Sequence, residues 1–196
     1  MSKSFFEKNK TLIIVSVVVL VILAMIVGMY NNFVTLDQNI NGKWSLVEND
    51  YQRQADLIPN FVSTVSNQVG VETTFVKDVI GARTAYATAQ SQYQKDLAGQ
   101  QMNSGINAVV NAVAEDYPEL LASEGYTALR DELAGSQNRI TKSRKDYIDA
   151  IQAYNTATKK FPANVFANMF GFVEKEYYEA TAELTTPVLG DGVLPQ

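Results

Sequence analysis

Apolar residues along the chain recur in stripes of threes and fours, and the first stripe begins where a longer, all-round apolar run ends. That run, TLIIVSVVVLVILAMIVGMY from Thr11 to Tyr30, is twenty residues without a charge. As a helix it would measure about 30 Å, the thickness of a bilayer's hydrocarbon core. It predicts a transmembrane span. Beyond it Phe33, Leu36, Ile40, Trp44, Val47, Tyr51, Ile58, Val62, Val65 and Val69 keep one helical phase, with a single missing beat at Gln54 and Ala55.

The phase holds across Pro59 in YQRQADLIPNFVSTV. A proline inside a helix removes one hydrogen bond and crowds the carbonyl four residues back, here that of Ala55, at a cost of about 3 kcal/mol unless the helix bends. A stripe in unbroken register predicts a kink within one helix over residues 31–69, with Gly70 and Thr73/Thr74 as break and cap.

Three further helices follow. Val71, Phe75, Val79, Ala82, Tyr86, Ala89, Tyr93 and Leu97 mark the second, and GQQMNSG over 99–105 reads as a connection. Ile106, Val109, Val110, Val113 and Tyr117 mark the third, which should stop before Pro118 because the residue before a proline avoids helical backbone. The fourth starts near Ser123 or Glu124 with Leu129, Leu133, Ile140, Tyr147, Ile151, Tyr154 and Phe161 on its stripe, and is stopped by Pro162. Polar residues at Ser136/Gln137 and Ser143/Arg144 fall where the stripe asks for apolar ones. A short helix over about 163–169 follows in an aromatic stretch, and TTPVLGDGVLPQ has no period. The predicted class is all-α: a long antiparallel four-helix bundle preceded by one N-terminal transmembrane helix.

Composition changes this picture mainly by exclusion. The chain has no cysteine and no histidine, so thiolate or imidazole zinc sites and Ser-His or Cys-His nucleophiles are ruled out. The same lack of cysteine excludes a disulfide framework and a lipidated N-terminal cysteine. The apolar run is also longer than a signal-peptide core and lacks a small-x-small cleavage site. No glycine pattern suits a phosphate or dinucleotide, and no cofactor is implied. Setting aside Lys3, Lys8, Lys10 and Glu7 from totals of 16 bases and 21 acids leaves 13 and 20, a net charge of −7 over residues 31–196. Such a surface argues against nucleic acid. Glu115 with Glu119, and Asp131 with Glu132, are read as solvated helix faces rather than a carboxylate metal site. The lysines before the span predict a cytoplasmic N-terminus.

Arg53, Asp56, Pro59, Asn60, Arg83, Asn138, Arg139, Arg144, Asp146 and Asn155 stand out, because several fall on or beside the core stripes. They are read either as an internal polar network that fixes helix register or as a small-ligand site at the kink. Phe166, Phe170, Phe172, Tyr177 and Tyr178 divide in the same way, between a core cap and a docking patch.

From Tyr30-Asn31 through Phe33-Val34, Leu36 and Trp44 to RQADLIPNFVSTV, and on through VIGARTAYA and EDYPELLASEGYTALRDELAGSQNRITKSRKDYIDAIQAYNTATKKFPANVFANMFGF, the chain resembles the LemA family of bacterial membrane proteins. The resemblance implies a single N-terminal membrane helix and a long up-and-down helical bundle, and supplies no reaction. With the apolar run and the lysines it divides the chain into residues 1–10 as a short cytoplasmic N-terminus, 11–30 as a transmembrane signal anchor, 31–172 as a LemA-like helical bundle and 173–196 as a partly disordered extension. Family members are often placed with the N-terminus outside, the reverse of what the lysines imply. The chain departs from the family at Ser136-Gln137, where Thr-Glu is usual, at Ile148 after Tyr147, where asparagine is usual, and at Leu121, where a lysine is usual. Those departures bear on charge-dependent functions and not on the fold.

The expected role is a non-catalytic, membrane-anchored scaffold of the bacterial cell envelope, seated in the inner membrane through residues 11–30 and associating with copies of itself or with other envelope proteins. Ala24 and Gly28, four apart in the span, are a weak packing signal in that direction. The alternative is an envelope binding module acting through the kinked helix or the aromatic segment. A carboxylate enzyme ranks last.

Overall fold

The computed structural model describes the backbone of residues 2–69 and 74–177 and the side chains of residues 9–67 and 74–177. Among the described residues all regular secondary structure is helical, with no strand. The helices are α1 (Ser2–Val69), α2 (Thr74–Thr88), α3 (Gln92–Asp116), α4 (Pro118–Leu121), α5 (Glu124–Lys159) and α6 (Ala163–Phe170). The break expected at Gly70 and Thr73, Tyr178 of the aromatic set, and the aperiodic tail TTPVLGDGVLPQ lie outside the described residues. The described residues divide into two compact units, one made of residues 2–42 and 147–176, the other of residues 43–69, 74–146 and 177.

In the first unit, α1 carries the apolar run. Its side chains are exposed, Leu12 at 67% and Leu20 at 64% among them, except Ile26 and Met29, which are half-buried. This part of α1 is long and apolar enough to cross a membrane. Beyond it Phe33 and Ile40 are buried, as are Ala150, Ile151 and Tyr154 of α5 and Ala167 of α6. Helix α6 ends at Gly171, whose φ of 79° is left-handed, a conformation that costs other residues about 1–2 kcal/mol. This glycine closes a Schellman turn: the Phe172 N–H donates to the Ala167 carbonyl at 2.9 Å and the Gly171 N–H to that of Asn168 at 3.3 Å.

In the second unit, α1 passes through Pro59 without interruption. Trp44, Val47, Tyr51, Ile58, Phe61 and Val65 are buried along it, and the missing beat is filled by Gln54 and Ala55, both buried. Val79 of α2 lies against Gly105 of α3, and Phe61 of α1 stacks on Tyr126 of α5 with centroids 6.1 Å apart.

The connection expected at 99–105 is instead the middle of α3, and the chain turns earlier, at Ala89–Ser91. Ser91 caps α3 by accepting from the Gln94 N–H at 3.1 Å, while the Gln94 side chain accepts from the Gln90 N–H at 3.0 Å. Together they act as a variant of the Ser-x-x-Gln capping box. The two glycines sit inside the helix because neighbours need the space. A Cβ on Gly99 would overlap the Tyr51 ring, and one on Gly105 would lie 2.7 Å from Val79 Cγ2. With the turn moved, Tyr93 leaves the expected stripe and is exposed at 53%; Phe75, in the first turn of α2, is exposed at 43%, and Phe161 beyond α5 at 85%.

Candidate functional site

The second unit holds a polar cluster within its core. Asp96 of α3 is only 3% exposed and its carboxylate takes four donors. The Arg144 guanidinium from α5 grips it as a fork, Nε on Oδ1 at 2.9 Å and Nη2 on Oδ2 at 3.0 Å. The Tyr51 hydroxyl from α1 donates to Oδ1 at 3.1 Å, and Gln100 Nε2 donates to Oδ2 at 2.9 Å. Bidentate, charge-assisted bonds are the strong kind and also fix geometry, so the cluster pins one register of three helices. Alongside it the buried Gln54 donates to Asn103 at 2.6 Å, and Lys95 pairs with Glu48. A carboxylate so saturated has no open face for a substrate.

Burial, then the Asp96 carboxylate, drives the Tyr51 phenol well above the ordinary tyrosine range, with Arg144 opposing. Tyr86, whose hydroxyl donates to the Glu48 carbonyl at 3.0 Å, is pushed up to about 12 by burial and then by the Glu48 and Asp56 charges. Burial also raises Tyr126 against the pull of Arg130, and Tyr154 against that of Lys175. Each is held as the neutral phenol. Their stabilisation is therefore complete below pH 10, the unfolded value, and is lost as the pH climbs through the folded values, about 12 for Tyr86. In an alkaline titration of the ten tyrosines, part of the tyrosinate absorbance should appear only above pH 10, together with loss of helical circular dichroism. Ionisation of all ten in one step, with helicity retained, would contradict this account.

A second polar contact answers the proline. Without an N–H, Pro59 leaves the Ala55 carbonyl without its usual helical partner. Arg83 of α2 supplies one, Nε to Ala55 O at 2.9 Å.

In the first unit, Asn155 of α5, buried to 3%, clips the chain after α6. Its Nδ2 donates to the Lys175 carbonyl at 2.8 Å and its Oδ1 accepts from the Lys175 N–H at 2.9 Å. The Lys175 ammonium reaches Asp37 at 2.8 Å and lies 5.6 Å from the centre of the Tyr154 ring. Phe172 packs on Phe33 at 5.1 Å, and Tyr30 meets the edges of Phe170 and Phe172 at 5.3 and 5.7 Å. A cleft of about 620 Å³ in this unit is bordered by Met29, Asn32, Gln152, Thr156 and Lys160.

Of the residues singled out in the sequence, Arg83, Arg144 and Asn155 thus make buried or half-buried polar contacts, each in a different place. Asp146 pairs with Lys43 at 3.6 Å. Arg53, Asp56, Asn60, Asn138 and Arg139 are exposed, with Asp56 accepting from Gln52 at 2.9 Å. Asp96, Gln100, Gln54 and Asn103 were not visible as a set. The signal available for Asp96 was an unmatched basic partner, Arg144, on a core stripe. Among the described residues no group of three or more Asp or Glu could hold a metal ion.

Among the described residues, an all-helical set of elements with one long, outward-apolar N-terminal helix and a polar cluster buried among helices defines a membrane-associated helical protein. A profile of the LemA family matches residues 43–189, and the chain belongs to that family. It is similar to the magnetosome proteins MamQ 1 and MamQ 2 of Paramagnetospirillum magneticum strain AMB-1. Each is 27% identical over 204 aligned positions, covering 91% of this chain and 75% of the relative. It is also similar to magnetosome protein MamQ of Magnetospirillum gryphiswaldense strain MSR-1, 24% identical over 185 positions, with 82% and 68% covered.

Proposed function

We propose that the chain is a non-catalytic scaffold of the bacterial cell envelope, anchored through residues 11–30 and built as an antiparallel four-helix bundle of α1, α2, α3 and α5. The observation that carries the reading is that one helix, α1, holds both the charge-free run and the stripe of core residues. Contacts between α1 and α2 (Ala55 with Arg83), α1 and α3 (Tyr51 with Asp96) and α3 and α5 (Asp96 with Arg144) support the bundle. The saturated Asp96 cluster favours a register device over a reactive group. The likeness to proteins named for the magnetosome supports a role in a membrane-associated assembly. Lys3, Lys8 and Lys10 favour a cytoplasmic N-terminus, with the bundle on the far side.

Binding of an envelope ligand or protein is the second reading. It is favoured by Arg53, Asp56 and Asn60, exposed and spaced to share one face of α1 beside Pro59. The native mass of the full-length protein in lipid discs, set beside that of residues 31–196, separates the two. A scaffold should give a large assembly that falls to monomers without the span. A monomer in both forms would reject self-assembly and turn the search to partners retained by the Asp56 and Asn60 face.

A further inference from the structure

Residues 161–173, FPANVFANMFGFV, carry no charge, and their apolar surface is left uncovered within their own unit. Phe161 is 85% exposed, Val165 57%, Met169 65% and Val173 68%. Val165 and Met169 are four apart on α6 and share a face, whereas Ala167 is buried at 1%. Lys159 and Lys160 precede the segment and Lys175 follows it.

The depth of this segment is set by Tyr30. That residue ends the charge-free run, and a run of about 30 Å brings its last residue to the edge of the hydrocarbon core, where tyrosines concentrate. Phe170 and Phe172 touch the Tyr30 ring edge-on, so the end of α6 is held at that same depth. Tyr30 itself remains 44% exposed, and the apolar surface of the span continues through it onto α6. An uncharged, one-sided apolar helix flanked by lysines, at the level of the headgroups, has the form of an interfacial helix.

We propose that α6 is a second membrane contact, lying in the leaflet that Tyr30 reaches, with Val165 and Met169 inserted among the upper acyl chains. The proposal rests on residues 11–30 spanning the bilayer. Lipid is favoured over a protein partner because Phe170, itself 38% exposed, joins the patch to Tyr30 at the end of a charge-free run already suited to lipid. The Asn155 clip on Lys175 and the Gly171 turn fix the chain on the far side of α6, so the contact would be preformed.

The chain has no cysteine, so single spin labels can be placed cleanly in the full-length protein. Val165→Cys and Met169→Cys test the proposal, Val19→Cys the span, and Asp131→Cys, exposed on α5, the aqueous reference. Each labelled protein is reconstituted in vesicles of phosphatidylcholine with phosphatidylglycerol. Collision with dissolved oxygen, which partitions into lipid, is then compared with collision with a water-soluble nickel chelate. At 165 and 169 the oxygen-to-nickel ratio should exceed that at 131 severalfold and lie below that at 19. A water-like ratio at both positions, with 19 still lipid-like, would overturn the proposal and leave the span standing. A water-like ratio at 19 would overturn both. Shielding of 165 and 169 from both reagents would identify protein as the cover and also overturn it.

Discussion

Asp96→Ala should destabilise the protein by about 3 kcal/mol, read as a lowered urea midpoint of helical circular dichroism in the full-length protein. Removing one partner of a buried ion pair typically costs 3–5 kcal/mol, because the other is left charged and unpaired. The low end applies because the Arg144 side chain keeps 21% exposure and can turn toward water. The Tyr51 hydroxyl and the Gln100 amide lose their acceptor in the same step. Replacing both charges by apolar side chains of similar volume is a different experiment. Asp96→Leu combined with Arg144→Leu should recover most of the loss, since well-packed apolar pairs often match buried ionic ones. The Lys43 and Asp146 pair supplies the contrast. At 3.6 Å and about one-third exposed on each side, it should be worth less than about 1 kcal/mol. A double variant as unstable as Asp96→Ala alone would mean that the cluster is more than a paired charge.

The elements most legible in the sequence were those marked by long periodic stripes or by prolines. The helix ends before Pro118 and Pro162 follow from backbone restriction, and the short helix after Pro162 falls at Ala163–Phe170. The turn between α2 and α3 was misplaced because Gly99 and Gly105 resemble breakers when read locally. Their reason is tertiary: Tyr51 and Val79 occupy the space where side chains would go. The signal at the true turn, Ser91-Gln92-Tyr93-Gln94, was a capping sequence hidden within an apparently continuous stripe.

The polar residues divide for a related reason. Helical spacing identifies a face but not the partner across from it. Arg83 and Arg144 are charges near core stripes, and both meet acceptors on other helices. Arg53 and Arg139 lie equally near those stripes and are exposed. Asp96 is not marked in the sequence, because its neighbour Leu97 fits the expected stripe and places the buried face one residue away. A side chain's partner is a property of the pairing of helices, and one sequence read alone constrains that pairing weakly.

Pro59→Ala should stabilise the protein by about 1–3 kcal/mol, and Arg83→Met should destabilise it, but the two effects should not add. Alanine returns an N–H to the helix and removes the ring that crowds the Ala55 carbonyl. With proline present, that carbonyl depends on the Arg83 Nε at 2.9 Å. Stripping the arginine therefore leaves a poorly solvated acceptor, at a cost of about 1–3 kcal/mol. In the Pro59→Ala background the helix satisfies its own carbonyl, and Arg83→Met should cost less than about 0.5 kcal/mol, the range of a substitution away from such features. A coupling of about 1–2 kcal/mol between the sites is thus expected from denaturant unfolding of the four proteins in the cycle. Strict additivity would mean that Arg83 does not stand in for the missing amide. Loss of helicity in Pro59→Ala would be the graver result, because α1 would then need its proline to form at all. If the coupling is found, the proline is the reason for the arginine: a backbone defect on one helix is answered by a side chain on the next, which ties α2 to α1 at a single register.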